Sequence, residues 1–348
     1  MSLVAAIVSF RLVGTDGVSV EARKWSRALS TLGFEVTTVA GAGAVDHLLP
    51  ALAIDADTPP SERDIEGALE SADLVVVENL LSLPLNPGAA SALAKVLAGR
   101  PALLHHHDLP WQRPQFARHP PPPDDDAWAH VTINDLSRRQ MGERGMRARV
   151  LFNRFDVEIP PGDRESTRSK LGVAHGERLL LQPTRALPRK NVPAAVALAE
   201  RLNATYWLLG EAEDGYGPEL ERVLSGARTR VIAGYGPENA GAAIADAYAA
   251  SDVVVLPSTW EGFGNPSVES AIHMRPLAIG PYPVAKEIEA HGFHWFALDD
   301  PEAIESWFES PDTDLLENNR KVAERDFSTR DLPRLLEKIL REEGLPLP

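Results

Sequence analysis

Short apolar runs alternate along this chain with longer stretches whose apolar residues recur at helical spacing. In the first half, the apolar runs at residues 3–10, 35–40, 73–77 and 101–104 predict buried strands, and residues 18–32 have the spacing of an amphipathic helix. Strands that alternate with helices form a mainly parallel sheet, because each crossover helix returns the chain to the same end of the sheet. The sequence therefore predicts an α/β fold built from βαβ units.

The alternation restarts after a break at residues 159–163, which read Ile-Pro-Pro-Gly-Asp. Prolines and glycines of this kind interrupt regular structure, and 348 residues are enough for two domains of ordinary size. Further strands are predicted at 178–182, 205–209, 228–233, 252–256 and 276–279. We therefore expect two Rossmann-like domains, residues 1–160 and 161–328, with a charged amphipathic helix in residues 329–348 that packs back on the first.

The composition limits the classes of partner. Fifty acidic residues against 35 basic ones give a formal net charge of −15, which argues against a broad surface for nucleic acid or anionic lipid. The chain has no cysteine, which excludes disulfides, thiolate metal sites and cysteine nucleophiles. Its apolar N-terminus lacks a basic region and is too short to span a membrane. We expect a cytoplasmic protein without a transmembrane segment, in which any phosphate site is local.

The most informative segment is residues 258–271, which follow a predicted strand and read STWEGFGNPSVESA. Pro266 suits the first turn of a helix, and the glycines before it allow a ligand to approach the backbone. Glu261 in the loop and Glu269 in that first turn can both face the sheet edge where α/β proteins bind ligands. The alternative is that Glu269 only complements the helix dipole and that Glu261 is a solvated loop residue.

A second polar segment follows the strand predicted at 178–182 and contains Arg185, Arg189 and Lys190. Arginine offers a planar fork of donors and lysine a compact charge, so together they can neutralise a diphosphate leaving group. The alternative is a solvated basic loop, because most runs of charge lie at the surface.

Both segments resemble motifs of the family-four retaining glycosyltransferases. The donor motif of that family, E-G-F-G-x-P-x-x-E, is matched in full by residues 261–269. Its diphosphate loop, G-R-x-x-x-x-K-G, is matched by Arg185 and Lys190, with Thr184 and Asn191 in place of the two glycines. The resemblance therefore implies a nucleotide-diphosphate sugar as the donor substrate.

The resemblance also implies roles for single residues. Glu261 is implied to contact hydroxyls of the donor sugar, and Glu269 to hold the ribose hydroxyls. Between them, the loop amides are implied to cradle the sugar and phosphates, from Gly262, Phe263, Gly264 and Asn265. Arg185 and Lys190 are implied to bind the diphosphate and stabilise its charge as it leaves, whereas Arg189 lies outside the matched pair and is expected to matter less.

Weaker signals in the first half resemble the same family. Gly14 and Gly17 lie in a turn before the first helix and resemble a glycine-rich loop near the donor phosphates, although a plain tight turn is the alternative. Adjacent histidines of a strand point to opposite faces, so at residues 105–107 a shared metal site is less favoured than one ring facing the cleft and one packed ring. The family's H-D pair at this strand end implies His107 and Asp108 near the reacting centre, with His106 as the alternative to His107.

Three further positions complete the candidate site. Gly210 and Glu211 resemble the loop after the next strand, and Tyr235 joins them as a donor-binding residue in loops whose geometry decides the choice of base. The aspartates at 124–126 are interpreted as a solvated loop and not as a metal site, because prolines precede them and no acidic partner follows.

We therefore predict the GT-B fold, two Rossmann-like domains facing across a cleft, with acceptor recognition in the first and donor recognition in the second. The predicted function is that of a retaining, metal-independent hexosyltransferase without a cofactor, which moves a sugar from a nucleotide-diphosphate sugar to an acceptor hydroxyl. Its catalytic residues are predicted to be His107, Arg185, Lys190 and Glu261. The alternatives are a nucleotide-sugar epimerase or phosphorylase on the same fold, and a nucleotide-sugar-binding protein without turnover.

Overall fold

The computed structural model describes residues 2–14, 16–234 and 244–348, which form two compact α/β units. Unit 1 consists of Met1–Arg154 together with Thr329–Pro348, and unit 2 consists of Phe155–Ser328. Within the described residues, no helix combines the length and the apolar character that crossing a membrane requires.

Unit 1 contains a seven-stranded parallel sheet in the order β3-β2-β1-β4-β5-β6-β7. Its strands are β1 Val4–Ser9, β2 Glu35–Ala40, β3 His47–Leu48, β4 Leu74–Glu78, β5 Ala102–His106, β6 Trp128–Thr132 and β7 Ala148–Val150. Its first four helices are α1 Gly17–Thr31, α2 Glu62–Ala68, α3 Pro87–Leu97 and α4 Asp135–Gly142. The central strands β4 and β5 are buried along their whole length, as expected where helices cover both faces of a parallel sheet.

Unit 2 contains a six-stranded parallel sheet in the order β10-β9-β8-β11-β12-β13. Its strands are β8 Leu179–Gln182, β9 Thr205–Leu208, β10 Val231–Ala233, β11 Val253–Leu256, β12 Leu277–Ile279 and β13 Phe296–Ala297. Its described helices are α5 Arg164–Leu171, α6 Val192–Arg201, α7 Gly217–Ser225, α8 Ile244–Ala250, α9 Pro266–Ile272, α10 Ala285–Glu289, α11 Pro301–Glu309 and α12 Thr313–Asp326.

The chain returns to unit 1 through the last helix, α13 Leu332–Glu342. Its apolar residues Leu336 and Leu340 are buried in the same core cluster as Trp25 and Leu29 of α1. Burying a leucine side chain contributes about 1.5–3 kcal/mol, so this contact ties the C-terminus to the first sheet.

Each sheet has one point at which the strand order reverses: between β1 and β4 in unit 1 and between β8 and β11 in unit 2. The connections leave in opposite directions there and open a crevice at the carboxyl ends of the strands, where α/β proteins bind ligands. In unit 2, the basic segment follows β8 and the Glu261 loop follows β11. The topology therefore brings the two most informative sequence segments to one place.

The loops after β8 and β9 are joined by their backbones. Ala186 N donates to Glu211 O at 2.8 Å, and Gly210 N donates to Thr184 O at 3.2 Å. A Cβ atom on Gly210 would lie 2.5 Å from Arg185 Cα, closer than non-bonded carbons can approach. Glycine is thus required at position 210 for backbone packing, whatever ligand the loop binds.

We therefore expect Gly210→Ala to destabilise unit 2 by about 1–3 kcal/mol, because two backbone segments must move apart to admit the methyl group. Gly67→Ala is the matched control, since Gly67 lies in α2 with open space around its Cα, and alanine is the better helix former by about 1 kcal/mol. Urea unfolding of both variants measures the difference. An unfolding midpoint for Gly210→Ala at or above the wild-type value would contradict this packing.

Candidate active site

The carboxylate of Glu261 and two cations of the basic segment meet at the switch point of unit 2. Lys190 ends a 3₁₀ turn, Pro188–Lys190, and its Nζ donates to Glu261 Oε1 at 2.5 Å. Arg189 Nη1 donates to Glu261 Oε2 at 3.0 Å. Lys190 and Glu261 are only 8% and 5% exposed. Lys190, Arg189 and Glu261 therefore form an ion cluster.

The loops that carry this cluster are held by buried polar side chains. Gln182, the last residue of β8, donates from Nε2 to Lys190 O at 3.0 Å, and its Oε1 accepts from the Tyr206 hydroxyl at 2.7 Å. Ser258 Oγ donates to Glu261 Oε1 at 2.6 Å. Side chains whose donors and acceptors are satisfied in this way hold a charged site in one geometry.

The charges in the cluster depend on one another. Burial raises the pKa of Glu261, but the charges of Lys190 and Arg189 outweigh this effect and hold that pKa below the usual 4.5. Burial lowers the pKa of Lys190, and the charge of Glu261 opposes this effect without cancelling it. Glu261 is therefore an anion at neutral pH. Removing one partner of a buried ion pair commonly costs about 3–5 kcal/mol, because it leaves the other charge uncompensated.

Arg185 lies apart from the ion cluster. Its Nη1 pairs with Glu213 Oε2 at 2.5 Å, and both side chains are about two-fifths exposed, 41% and 43%. Arg189, which lies outside the matched Arg185–Lys190 pair, contacts Glu261, whereas Arg185 pairs with Glu213. The backbone explains the difference: Arg189 O accepts from Thr259 N at 2.9 Å, whereas the segment after Arg185 pairs with the loop after β9.

Glu269 lies in the first turn of α9, where it is half-buried. Its Oε2 accepts from the Tyr248 hydroxyl at 2.7 Å, and the Tyr248 ring stacks on His273 with 4.4 Å between centroids. Burial raises the pKa of Tyr248 well above 10, and the charge of Glu269 adds to this, so the phenol remains a hydrogen-bond donor. Sequence reasoning missed Tyr248, since a tyrosine in a helix gives no signal for a carboxylate partner 21 residues away.

The loop between Glu261 and Glu269 has a conformation that only glycine tolerates at one position. Gly264 has a φ of +91°, and a Cβ atom there would lie 2.2 Å from the Tyr282 hydroxyl. That hydroxyl donates to Phe263 O at 3.1 Å, and the Phe263 side chain is 3% exposed in a group of aromatic rings. The Phe263 side chain is thus core. Gly262 and Asn265 are half-buried in the same loop.

The remaining candidates of unit 2 lie after β9 and β10. Gly210 has the packing role given above, and Glu211 is exposed and uses its carbonyl in the junction with Ala186. Tyr235 lies outside the described residues.

In unit 1, the turn before α1 has its own internal partner. Gly14 has a φ of +107°, and Gly17 is the first residue of the helix. Asp16 caps that helix, and its Oδ1 accepts from Val18 N and Ser19 N at 3.1 Å each. Amide groups that the glycine-rich turn offers to an anion are therefore already engaged by a carboxylate.

The three consecutive histidines divide between the two faces of the first sheet. Glu78, the last residue of β4, is fully buried, and its Oε2 lies 2.9 Å from His105 Nδ1 and 2.8 Å from His107 Nε2. His106 points the other way, with its Nδ1 2.6 Å from Ser82 Oγ. Of the three, His107 is the most exposed at 8%. Asp108 beside it accepts from Arg113 Nη2 at 2.9 Å.

The buried Glu78 sets the ionisation of both rings. Burial raises its pKa, but His105 and His107 outweigh this effect and lower the pKa to about 2. Burial lowers the pKa of His107, but the Glu78 hydrogen bond and charge raise it above 6.5 overall. For His105 burial dominates, and the pKa falls. The strand reading Leu-Val-Val-Val-Glu carried a signal that sequence reasoning missed, because a carboxylate that ends an apolar strand needs a buried partner.

Glu78, His105 and His107 have the residue types of a metal site, and their candidate ligand atoms lie within 4.8 Å of one another, a grouping found once among the described residues. In the structure, Glu78 Oε2 instead accepts from both rings, which satisfies one nitrogen of each. On the opposite face, His106 Nε2 lies 2.8 Å from His130 Nδ1, and His130 Nε2 lies 2.9 Å from Asp124 Oδ1, so the predicted solvated aspartate segment supplies a partner to a buried histidine.

Comparisons with known proteins agree with this fold. Residues 189–308 match the family model described as "Glycosyl transferases group 1". A mannosylglucosylglycerate synthase of Thermotoga maritima is 26% identical, over 98% of this chain and 99% of that protein. HepE of Anabaena, solved with UDP-glucose, has a TM-score of 0.72 at 19% identity and covers 97% of this chain and 99% of its own. Sucrose-phosphate synthase of Thermosynechococcus elongatus has a TM-score of 0.73 at 14% identity, over 98% of each chain.

These matches confirm the predicted GT-B fold. The family match covers both the basic segment from Arg189 onward and the Glu261–Glu269 motif. The residues of the ion cluster thus lie in the region that matches the group 1 glycosyl transferases, and the predicted glycosyltransferase function is confirmed.

Replacing Glu78 tests how the His107 ring is held. In Glu78→Gln we expect the pKa of His107 to fall below 6.5, because burial still opposes its charge after the carboxylate is gone. A raised pKa stabilises the fold below 6.5, and that contribution is lost as the pH rises through the folded-state value. The part of the stability that Glu78→Gln loses through His107 should therefore be largest at acidic pH, below 6.5.

Histidine NMR titration and thermal melts across pH measure both effects. Asp124→Asn is the control, because it changes the partner of His130 on the opposite face of the sheet. A His107 pKa that stays above 6.5 in Glu78→Gln would show that another group charges the ring.

Proposed function

We propose that this protein is a retaining, metal-independent hexosyltransferase that takes its sugar from a nucleotide-diphosphate sugar and transfers it to an acceptor hydroxyl. The observation that carries the proposal is the buried Lys190–Glu261–Arg189 cluster at the switch point of unit 2. Unit 2 would recognise the donor. Unit 1, with His107 and Asp108, would recognise the acceptor. No cofactor is needed, because the donor carries its own leaving group.

The two matched cations differ in how they would reach the diphosphate. Lys190 is buried and preorganised, so its charge acts in surroundings of low dielectric, where it stabilises a developing negative charge most strongly. Among the described residues, the Arg185 side chain pairs with Glu213 near the surface, and such exposed pairs contribute about 0–1 kcal/mol. A phosphate group can therefore take Arg185 from Glu213 at little cost.

In the proposed reaction, the bond between the anomeric carbon and the diphosphate oxygen breaks, and its electron pair stays on that oxygen. The acceptor oxygen bonds to the same face of the anomeric carbon, and its proton passes to the departing diphosphate oxygen. Lys190 and Arg185 stabilise the charge on the diphosphate during this step, and Glu261 holds a hydroxyl of the donor sugar. Glu269 holds the ribose, and the loop from Gly262 to Asn265 gives its backbone to the sugar and phosphates.

The relatives support a nucleotide sugar as donor and argue against the alternatives. HepE was solved with UDP-glucose, and a further structure of it contains UDP and glucose. The relatives from Thermotoga maritima and Petrotoga mobilis are both named mannosylglucosylglycerate synthase. Neither an epimerase nor a non-catalytic binder is favoured by an observation of this kind.

A donor screen tests the proposal directly. The protein is incubated with UDP-, GDP- and ADP-sugars and candidate acceptors, with and without EDTA, and products are identified by mass spectrometry and NMR. Transfer with the donor's anomeric configuration kept, at equal rates in EDTA, is expected. An inverted product would refute retention. Loss of turnover in EDTA that Mg²⁺ or Mn²⁺ restores would refute metal independence, and an epimerised donor would favour the epimerase.

The two glutamates should affect different parts of the donor. We expect Glu269→Ala to lower the affinity for the free nucleotide diphosphate and for the intact donor alike, since both ligands carry the ribose. Glu261→Gln should lower only the affinity for the intact donor, because the Glu261 carboxylate is proposed to contact the sugar. Glutamine is used at position 261 because alanine would leave the buried charge of Lys190 without its carboxylate acceptor.

Calorimetry with both ligands measures this division. Tyr248→Phe is a graded control for Glu269, since it removes only the hydroxyl that Glu269 accepts from. Equal losses of affinity for the nucleotide diphosphate and for the intact donor in Glu261→Gln would contradict the assigned roles.

The diphosphate cations should act mainly on rate. Interactions that strengthen in the transition state raise turnover, and removing one such donor costs about a hundred-fold or more in kcat. We expect losses of this order in Lys190→Met and Arg185→Ala. Arg201→Ala is the matched control, because Arg201 is an exposed arginine of unit 2 that pairs with Glu302 at 2.8 Å, outside the loop. Normal turnover in the Arg185 and Lys190 variants would show that these two cations do not act on the leaving group.

A further inference from the structure

Arg189 is joined to the Glu261 loop through both its backbone and its side chain. Its carbonyl accepts from Thr259 N at 2.9 Å and from Thr259 Oγ1 at 3.3 Å. Its Nη1 donates to Trp260 O at 3.2 Å and to Glu261 Oε2 at 3.0 Å. The side chain is 23% exposed, so most of it is enclosed by the protein. Arg189 is therefore built into the loop, and its guanidinium has one fixed geometry there.

The hydrogen bonds to Glu261 limit what its carboxylate can still accept. A carboxylate has two oxygens and about four acceptor positions. Among the described residues, Lys190 and Ser258 donate to Oε1 and Arg189 donates to Oε2. These three donors leave about one position, on Oε2, beside the guanidinium of Arg189.

Fixing both oxygens also fixes the plane of the carboxylate. With Lys190 and Ser258 alone on Oε1, the group could turn about that oxygen and offer Oε2 in several directions. The bond from Arg189 to Oε2 removes this freedom, at a site where the carboxylate is 5% exposed and water is largely excluded. A charge-assisted hydrogen bond in such surroundings is among the stronger ones, so the orientation is stiff.

We infer that Arg189 is a positioning residue that orients Glu261, so that Oε2 accepts from a single hydroxyl of the donor sugar and discriminates between sugars that differ at that hydroxyl. This inference rests on the proposed function, since it assigns the sugar specificity of the same site. Arg189 acts through Glu261 and does not bind the diphosphate. It thereby differs from Lys190 and Arg185, whose charges are proposed to act on the leaving group.

Arg189→Met removes the guanidinium and keeps a side chain of apolar character that can fill part of the space. We expect the ratio of kcat/KM for the preferred donor over the donor that lacks or inverts the selected hydroxyl to fall about ten-fold, which corresponds to one oriented hydrogen bond to a charged group. The affinity for the free nucleotide diphosphate should stay within about two-fold of wild type, because that ligand has no sugar.

Arg189→Lys serves as the conservative variant. Lysine keeps the charge and can reach Oε2, but its ammonium lacks the planar fork, so it should restore much of the donor preference. Arg201→Met is the matched control and should change neither quantity. An unchanged donor ratio in Arg189→Met would overturn the inference. So would a loss of nucleotide diphosphate affinity as large as the loss for the intact donor, because Arg189 would then be a phosphate ligand.

A measurement without substrate separates this inference from the proposed function. Thermal melts of Arg189→Met, Glu261→Gln and the double variant form a cycle, in which the combined shift in Tm should be smaller than the sum of the single shifts. Additive shifts would overturn the positioning contact even if transfer occurs. If the wild-type protein transfers no sugar but the Tm shifts are non-additive, the proposed function fails while the Arg189–Glu261 contact stands.

Discussion

The buried carboxylate of Glu261 is the interaction on which the second unit depends most. Two cations and a hydroxyl converge on it: the cations come from the loop after β8, and the hydroxyl of Ser258 comes from the loop after β11 that also carries Glu261. The strand order of the sheet reverses between these two strands. A charge in this position is tolerated only if it is paired and hydrogen-bonded, because desolvation otherwise costs several kcal/mol. The ion cluster therefore holds two loops together.

The first unit has a similar cluster of side chains around the buried carboxylate of Glu78. This carboxylate lies at the end of β4, beside the point where the first sheet reverses its strand order, and two histidines of the neighbouring strand share one of its oxygens. Burial alone would neutralise each of these groups, and their mutual contacts oppose that effect for Glu78 and His107. In both units a fully enclosed glutamate fixes the side chains that the sequence offers as candidates for chemistry.

Two glycines in these loops occupy positions where a larger side chain would clash with its neighbours. Gly264 adopts a conformation that other residues rarely reach, directly against the Tyr282 hydroxyl, and Gly210 allows the backbones of two loops to touch. These positions shape the loops before any ligand arrives. A preorganised site loses less conformational entropy on binding, which is how a stiff loop increases affinity without additional contacts.

The sequence by itself determined the α/β class, the parallel strands and the segments that carry the chemistry. Buried strands and amphipathic helices differ in the spacing of their apolar residues along the sequence. The motifs Glu261–Glu269 and Arg185–Lys190 are local patterns, which can be recognised without information on long-range contacts. Only the tertiary structure decided which side chains meet. In unit 2, Arg189 pairs with Glu261, Arg185 pairs with Glu213, and the Tyr248 hydroxyl donates to Glu269. In unit 1, His105 and His107 both pair with Glu78. Partners of this kind are brought together by strand order and by the backbone pairing of loops, and both arise from contacts between residues far apart in the chain.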